Sequence, residues 1–221
     1  MAASLPSIRL AAAARLVASL RHLEQRTSNL AADLIADDPF IALNHYPAND
    51  GIDAATGAQF YFHAHPANEP RPQRTGWTEI GHIHTFIRPR GARGPIHHLI
   101  AIALDPCGRP TGLFTTNRWV TDEIFCPAPA AIHYANRFHL TANTATTICI
   151  NAIFTLYAND IARLLRKRDA TLQIHRRRNP RQDPLEARSL EILSAQPIHL
   201  TATLAALRAT LPPRLEERRE Y

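Results

Sequence analysis

The middle of the chain constrains the fold most. Between residues 58 and 123, four segments alternate in polarity or are rich in β-branched and aromatic residues, as strands are. In chain order they read AQFYFHAH, TEIGHIHTFIR, IHHLIAIALD and TGLFTTNRWVTDE. The sequence PCGRP joins the last two segments and is typical of a hairpin turn. These features predict an antiparallel meander of about four strands, with longer connections at residues 66–76 and 89–95.

Helical periodicity flanks this region on both sides. Leucines at helical spacing over residues 7–37 predict one long helix or two shorter ones that end before Pro39. The polar stretch LNHYPANDGIDAATG that follows predicts a loop. After the strands, a helix is predicted from about Ile150 to Leu172, and shorter helices at LEARSLEIL and TATLAALRATL.

The order of these elements indicates an α+β fold with a central antiparallel meander between N-terminal and C-terminal helices. We expect residues 1–221 to form a single domain. Its parts are an N-terminal helical segment at 7–37, an antiparallel sheet core at 58–123 and C-terminal helices at 147–211.

The net charge of +6 and the isoelectric point near 9.8 say little about partners. Lys167 is the only lysine, and arginine in an alanine-rich chain is typical of a GC-rich genome. The basic stretch LLRKRDATLQIHRRRNPR, residues 164–181, is the best candidate for nucleic-acid binding. It also fits a solvated helix end, and it lacks interleaved aromatic residues, so nucleic acid is an unlikely partner by this reasoning.

Location is inferred from what the sequence lacks. No apolar run approaches the ~20 residues of a membrane helix, and Arg9, Arg15 and Arg21 interrupt the apolar start of the chain. The three cysteines are widely spaced without a C-x-x-C pair, which favours reduced thiols that are mostly buried. We expect a cytoplasmic protein that does not bind membranes.

Two His-x-His pairs are the most informative chemical feature. Residues i and i+2 of a strand share a face, so Tyr61 should lie on the same face as the first pair, and Phe86 on the same face as the second. If the two strands are neighbours in register, four imidazoles meet on one surface of the sheet. The predicted metal ligands are His63, His65, His82 and His84.

Imidazole ligands without thiolates suit a divalent transition metal, iron or zinc, and an open coordination position would favour catalysis. The hypothesis is a metalloenzyme, either a non-haem iron oxidoreductase or a zinc hydrolase or lyase, acting on a small, anionic molecule. Three alternatives stay open at this point: a non-catalytic protein that binds a small ligand or a metal, histidines that only pack and hydrogen-bond, and a nucleic-acid accessory protein.

Other residues are assigned roles around this site. In a regular strand Glu79 would point away from His82, whereas a bulge at Gly81 would bring it in as a ligand or a general base. Tyr61 is the other candidate for handling a proton. Arg118 could orient an anionic substrate, with Asn117 and Trp119 beside it. An ion pair explains Arg118 equally well and backbone hydrogen bonds explain Asn117 equally well, whereas core packing is the favoured explanation of Trp119. Only one of His97 and His98 can face the site.

Resemblances to known families are limited. GHIHTFI has Phe86 where histidine-triad nucleotide hydrolases need their third histidine, and the cupin spacing also fails. The combination of HYPANDG, QFYFHAHP, EIGHIHTFIRP and HLIAIALDPCGRPTGLFTTNRWVTDE resembles a bacterial domain family of unknown function. That family shares the E-x-G-H-x-H stretch and the T-N-R-W segment, over roughly residues 40–195. The resemblance implies one domain centred on these segments and implies no activity.

Overall fold

A computed structural model describes residues 4–66, 77–91 and 93–210. Over these residues the chain forms helices α1 Leu5–Gln25, α2 Leu30–Ile35, α3 Arg118–Thr121, α4 Ala128–Ala135, α5 Ala145–Leu156, α6 Ala158–Arg178 and α7 Leu200–Ala209, with a 3-10 helix at Pro184–Glu186. The strands are β1 Tyr46–Ile52, β2 Ala58–His63, β3 Gly81–Ile87, β4 His97–Leu104, β5 Pro110–Thr116 and β6 Ile192–Pro197. The α+β class is therefore confirmed.

The strands form one antiparallel sheet in the order β1-β2-β3-β4-β5-β6, a meander of six strands rather than four. β1 lies inside the stretch that we expected to be a loop. We did not predict this strand because Asn, Asp and Gly are typical of loops. Here they lie in an irregular edge strand whose register shifts between Tyr46 and Gly51. β6 lies in the stretch EILSAQP, of which the first residues were assigned to a short helix.

The helices begin and break at identifiable residues. α1 starts after Ser4, whose hydroxyl accepts a hydrogen bond from the Ser7 amide, and α2 starts after Asn29, which caps in the same way. Of the two predictions for the N-terminal segment, the pair of shorter helices is confirmed. The predicted helix after residue 150 is two helices, because the chain bends by 76° at Tyr157 between α5 and α6.

The sheet has one apolar face and one polar face. Cross-strand partners share a face, so Phe62 and Ile83 lie together, and they belong to the main core with residues of α1 and α5 such as Leu16 and Ile153. The partners Tyr61 and His84 lie on the other face, in line with Ala101 on β4 and Phe114 on β5. The histidines therefore occupy the sheet face opposite the helices.

The fourth predicted strand is shorter than expected. β5 ends at Thr116, and Asn117 is the N-cap of α3, with its side-chain oxygen accepting from the Arg118 amide. Asn117, Arg118 and Trp119 are thus outside the strand, although the segment TGLFTTNRWVTDE was predicted to be one strand throughout. Of the two long connections predicted between strands, residues 67–76 and residue 92 lie outside the described part of the chain, as do residues 211–221 at the end of the C-terminal helical segment.

Across the described residues, no single helix combines the length and the apolar composition that crossing a membrane requires; α5 and α6 meet that test only as a bent pair.

Candidate metal centre

Three of the predicted ligands come together at one end of the polar face. Ring nitrogens of His63, His65 and His82 lie within 4.8 Å of one another. Tetrahedral ligands about 2.1 Å from one zinc ion are separated by about 3.4 Å, so modest ring rotations would bring all three to one ion. His82 is 2% exposed, and the other two are half-buried. The cluster can therefore accept an ion from one side.

The register of the sheet explains the cluster. His63 is the cross-strand partner of His82 in the β2–β3 pair, and their Nε2 atoms lie 2.7 Å apart. His65 follows two residues after β2 ends, and its ring centroid lies 5.1 Å from that of His63. Two ligands thus come from the rigid sheet and the third from the segment that leaves it.

Glu79 lies beside the cluster without a bulge at Gly81. It precedes β3, which begins at Gly81, so strand alternation does not determine its direction. Its Oε1 lies 3.0 Å from Nδ1 of His82, and its Oε2 accepts a hydrogen bond of 3.0 Å from the indole of Trp77. A carboxylate on the outer nitrogen of a histidine fixes the ring and its tautomer, the arrangement common behind metal-bound imidazoles.

Trp77 is held in turn by the sheet. A Cβ atom on Gly112 would lie 2.5 Å from the Trp77 ring, so the indole packs directly on the backbone of β5. Gly112 is the partner of Ala103, which is the partner of His82. Trp77, Glu79 and His82 therefore form a connected series of contacts across this end of the polar face.

The electrostatics keep His63 neutral. Burial lowers the pKa of His63 to about 2, and the neighbouring imidazoles of His82, His65 and His45 lower it further, against an opposing contribution from Glu79. A neutral imidazole with an available lone pair is the form that binds a metal ion. The environment thus selects the protonation state that coordination requires.

His84, the fourth predicted ligand, lies next to the cluster but outside it. Its ring centroid is 4.7 Å from that of His82, and its Nδ1 lies 3.0 Å from Nε2 of His98. His98 is 1% exposed, its Nδ1 is 3.4 Å from the Thr116 hydroxyl, and burial lowers its pKa to about 3. Of the two histidines that start β4, His98 therefore joins the polar face, while His97 stacks on Tyr134.

Tyr61 borders the cluster on the side of β1. Its ring is tilted against His84, with centroids 5.2 Å apart, and lies edge-on to His63 at 5.7 Å. Burial raises the pKa of Tyr61 above its usual value, and the charges of Asp50 and Glu123 raise it further. The side chain therefore stays a phenol at neutral pH.

His45 and Asp50 are residues that the sequence reasoning assigned to a loop. The His45 ring stacks on Tyr61 with centroids 3.5 Å apart, and its Nδ1 lies 2.9 Å from Oδ1 of Asp50. Asp50 has φ of 54° in the left-handed region, and its other oxygen accepts a hydrogen bond from Gln59. The HYPANDG segment therefore forms one rim of the site.

The residues predicted to bind substrate lie elsewhere, with their polar groups engaged. Arg118 forms an ion pair with Glu186, and the Asn117 amide donates to the Pro184 carbonyl at 2.9 Å. The Trp119 indole donates to the carbonyls of Ala187 and Leu190. Arg118 thus has a carboxylate partner and Asn117 a backbone partner, whereas the Trp119 indole is half-buried rather than in the core.

Two residues near the cluster escaped sequence reasoning. Trp77 stands two positions before Glu79, and only the contact with Gly112 identifies its role. Glu123 is 4% exposed, and its Oε2 accepts a hydrogen bond from the His98 amide. Burial raises the pKa of Glu123 to about 7, against opposing contributions from the His98 hydrogen bond, Arg168 and Arg118. No sequence signal distinguishes it from a surface carboxylate.

Comparison with known proteins gives a family without an activity. No curated protein and no solved structure matches the chain. A family model described as "Domain of unknown function (DUF6969)" matches residues 10–198, a longer span than the resemblance noted from the sequence. The chain therefore belongs to this family, the domain of unknown function DUF6969.

Proposed function

We propose that this protein is a metal-dependent enzyme that holds one divalent transition metal ion, zinc or iron, with His63, His65 and His82, and acts on a small anionic molecule. The observation that carries the proposal is the convergence of three ring nitrogens within 4.8 Å on a sheet face. Three protein ligands leave a fourth position for water or substrate in a tetrahedral site, which is the pattern of catalytic rather than structural sites.

The surroundings of the three histidines support this assignment. Glu79 lies on the outer nitrogen of His82 and is itself fixed by Trp77, so the ligand is oriented before an ion arrives. Burial keeps His63 neutral at physiological pH. Histidines that only pack need neither a carboxylate that fixes their tautomer nor three ring nitrogens within 4.8 Å of one another.

A bound ion would supply Lewis acidity or an activated water, and the chain's own groups would do the rest. Tyr61, a neutral phenol at the edge of the cluster, can donate a hydrogen bond to an anionic substrate or give up a proton to a leaving group. Glu79 acts on the ligand through His82, and this makes it a positioning residue in this proposal.

The first experiment measures metal content by elemental analysis of protein purified without an affinity tag or chelator. We expect about one equivalent of zinc or iron in the wild type. His65→Ala and His82→Ala should each lose most of it. His139→Ala is the matched control, because His139 is exposed and distant from the cluster in the chain and should retain the metal.

A second measurement separates the enzyme from a metal-binding protein without catalysis. Zinc protein would be screened for hydrolysis and elimination on phosphate and carboxylate esters, and iron protein for oxygen consumption. Activity that disappears in His82→Ala and persists in His139→Ala supports the enzyme. Full metal occupancy in both histidine variants, or no metal uptake on reconstitution, would overturn the proposal.

A further inference from the structure

A second group of charged, polar and aromatic side chains lies on the side of the sheet that the helices cover, opposite the cluster of histidines. A groove of about 500 Å³ runs along α6, bordered by Phe125 before α4 and by Leu185 of the 3-10 helix. From α6 it is lined by Arg166, Asp169, Gln173 and Arg176. α6 packs on the sheet through Leu164 and Leu165, which belong to the main core.

The two arginines mark the ends of the groove. Their positions, with Asp169 and Gln173 between them, follow i, i+3, i+7 and i+10 and therefore lie along one side of the helix. Ten residues of α-helix span about 15 Å. With both side chains extended away from the helix axis, a ligand that contacts both guanidinium groups is longer than a single phosphate or carboxylate group.

The carboxylates near the groove are already occupied. Asp169 accepts hydrogen bonds from the Arg168 guanidinium at 2.8 Å and from the Ala128 amide at 2.7 Å. Asp183 caps the Leu185 amide at 3.0 Å, and Glu186 pairs with Arg118. These carboxylates are not available to neutralise cations across the groove.

The cations, by contrast, are available. Within the described part of the chain, the exposed cations on and after this half of α6 form no ion pair: Arg166, Lys167, Arg176, Arg177, Arg178 and Arg181. Arg166 and Arg176 of this set line the groove and the others lie near them in the chain, so the groove fits an anionic ligand.

An aromatic ring completes the groove. Phe125 is half-buried, and the Arg168 guanidinium, itself 2% exposed, lies 4.7 Å from its ring centroid. Phe125 comes from a segment about fifty residues before the end of α6, so the basic stretch looks free of aromatic residues in the sequence. Folding places this aromatic ring in the lining of the same groove as Arg166 and Arg176, and aromatic rings beside cations are the combination that binds bases and phosphates together.

We propose that this groove binds single-stranded nucleic acid, with Arg166 and Arg176 on phosphates and Phe125 against a base. A strand offers a phosphate at every few ångströms, so several fall within the 15 Å between the two arginines. A duplex hides its base faces from Phe125, and an acidic peptide has no base to place there. The proposal is independent of the metal centre.

The test is fluorescence anisotropy with a labelled single-stranded oligonucleotide, over a series of salt concentrations, on the full chain. We expect the double variant Arg166→Gln/Arg176→Gln to lower the slope of log affinity against log salt by about 1.4, because two phosphate contacts are lost. Gln173→Glu should weaken binding by placing a charge in the groove without altering packing. Phe125→Leu, which keeps the volume, should cost about fivefold or more.

Arg21→Gln on α1, also exposed, is the matched control for charge and should bind like the wild type. Poly-glutamate of equal charge tests an acidic peptide, and a duplex of the same sequence tests backbone charge alone. The proposal is overturned if Arg21→Gln weakens binding by half the effect of the double variant Arg166→Gln/Arg176→Gln or more. It is also overturned if poly-glutamate competes as well as the oligonucleotide, or if Phe125→Leu has no effect. Absence of binding at low salt also overturns it, and folding of each variant is checked by circular dichroism.

Discussion

Nε2 of His63 and Nε2 of His82 face each other at 2.7 Å across the β2–β3 pair. Two bare lone pairs would repel at this distance, so one nitrogen donates a hydrogen bond to the other unless a cation lies against both. Because Nδ1 of His82 lies against the Glu79 carboxylate and donates to it, Nε2 of neutral His82 is the acceptor. A metal ion bound by both Nε2 atoms would therefore replace the hydrogen that lies between them.

Glu79→Gln should weaken metal binding while leaving the fold intact. The amide oxygen can still accept from His82, but the amide NH2 then faces the Trp77 N–H, and the negative charge that strengthens the imidazole as a ligand is lost. Outer carboxylates of this kind are worth about 10- to 100-fold in metal affinity. Competition with a chromophoric chelator at fixed pH measures the change, with Glu24→Gln on α1, whose side chain is 58% exposed, as the control. An affinity equal to that of the wild type would show that Glu79 does not support a ligand.

Gly112→Ala tests whether the sheet reaches the ligand through Trp77. The new methyl group would lie 2.5 Å from the indole, so the ring must move and its hydrogen bond to Glu79 must stretch. Overpacking of this kind costs about 1–3 kcal/mol of unfolding free energy. We expect lower metal affinity and altered tryptophan fluorescence.

Trp77→Phe is the companion variant to Gly112→Ala, because it keeps an aromatic side chain beside Gly112 and removes the N–H donor together with part of the ring system. It should reduce metal affinity with a smaller loss of stability. If Gly112→Ala displaces the Trp77 ring but binds metal with wild-type affinity, the contacts from β5 to His82 do not influence metal binding.

The sequence predicted those features that follow from the two-residue period of a strand. It did not predict features that depend on a single tertiary contact. The alternation of His63 with His65, and of His82 with His84, correctly indicated a polar sheet face, because a strand shows its period within four residues. It could not exclude His84 from the cluster, since the position of His98 depends on an irregularity between Thr85 and Phe86 in the β3–β4 register. The local sequence contains no pattern that predicts such a shift in strand register.

The edge strands were missed, and the direction of Glu79 was left open, for related reasons. β1 contains Asp50 in a left-handed conformation. β6 pairs with β5, which lies far from it in the sequence. Both depend on tertiary contacts rather than on local preference. Glu79 was judged by strand alternation, but the strand begins only at Gly81.

Asp50→Ala should destabilise the rim of the site. The substitution removes the acceptor of His45 and Gln59 and leaves a residue with a Cβ at φ of 54° without a side chain that favours it. We expect a loss of about 2–3 kcal/mol in urea unfolding, from lost hydrogen bonds and backbone strain together. Asp50→Asn, which keeps an acceptor and tolerates this conformation, should lose less. Asp37→Ala, at an exposed position, should stay within about 0.5 kcal/mol of the wild type.

The pH dependence of stability contains opposing contributions on the polar face. Burial lowers the pKa of His98 to about 3, so on acidification below 6.5 the unfolded chain takes up a proton that the folded chain refuses. This stability is present above pH 6.5 and is lost as the pH falls towards 3. Burial raises the pKa of Glu123 to about 7 from 4.5, so its contribution has the opposite sign and falls as the pH rises from 4.5 to 7.

Glu123→Gln removes only the second contribution, and its stability should therefore fall more steeply than that of the wild type between pH 6.5 and 4.5. The groups that face Glu123 are His98, Arg168 and Arg118, and they are unchanged in the variant. Each uncompensated proton changes the slope by about 1.4 kcal/mol per pH unit, so the two curves should diverge by about 1–2 kcal/mol over this window. Urea unfolding at half-unit steps of pH measures it, with Glu24→Gln as the exposed control. Parallel curves for Glu123→Gln and the wild type would mean that Glu123 releases its proton in the folded chain as readily as in the unfolded one.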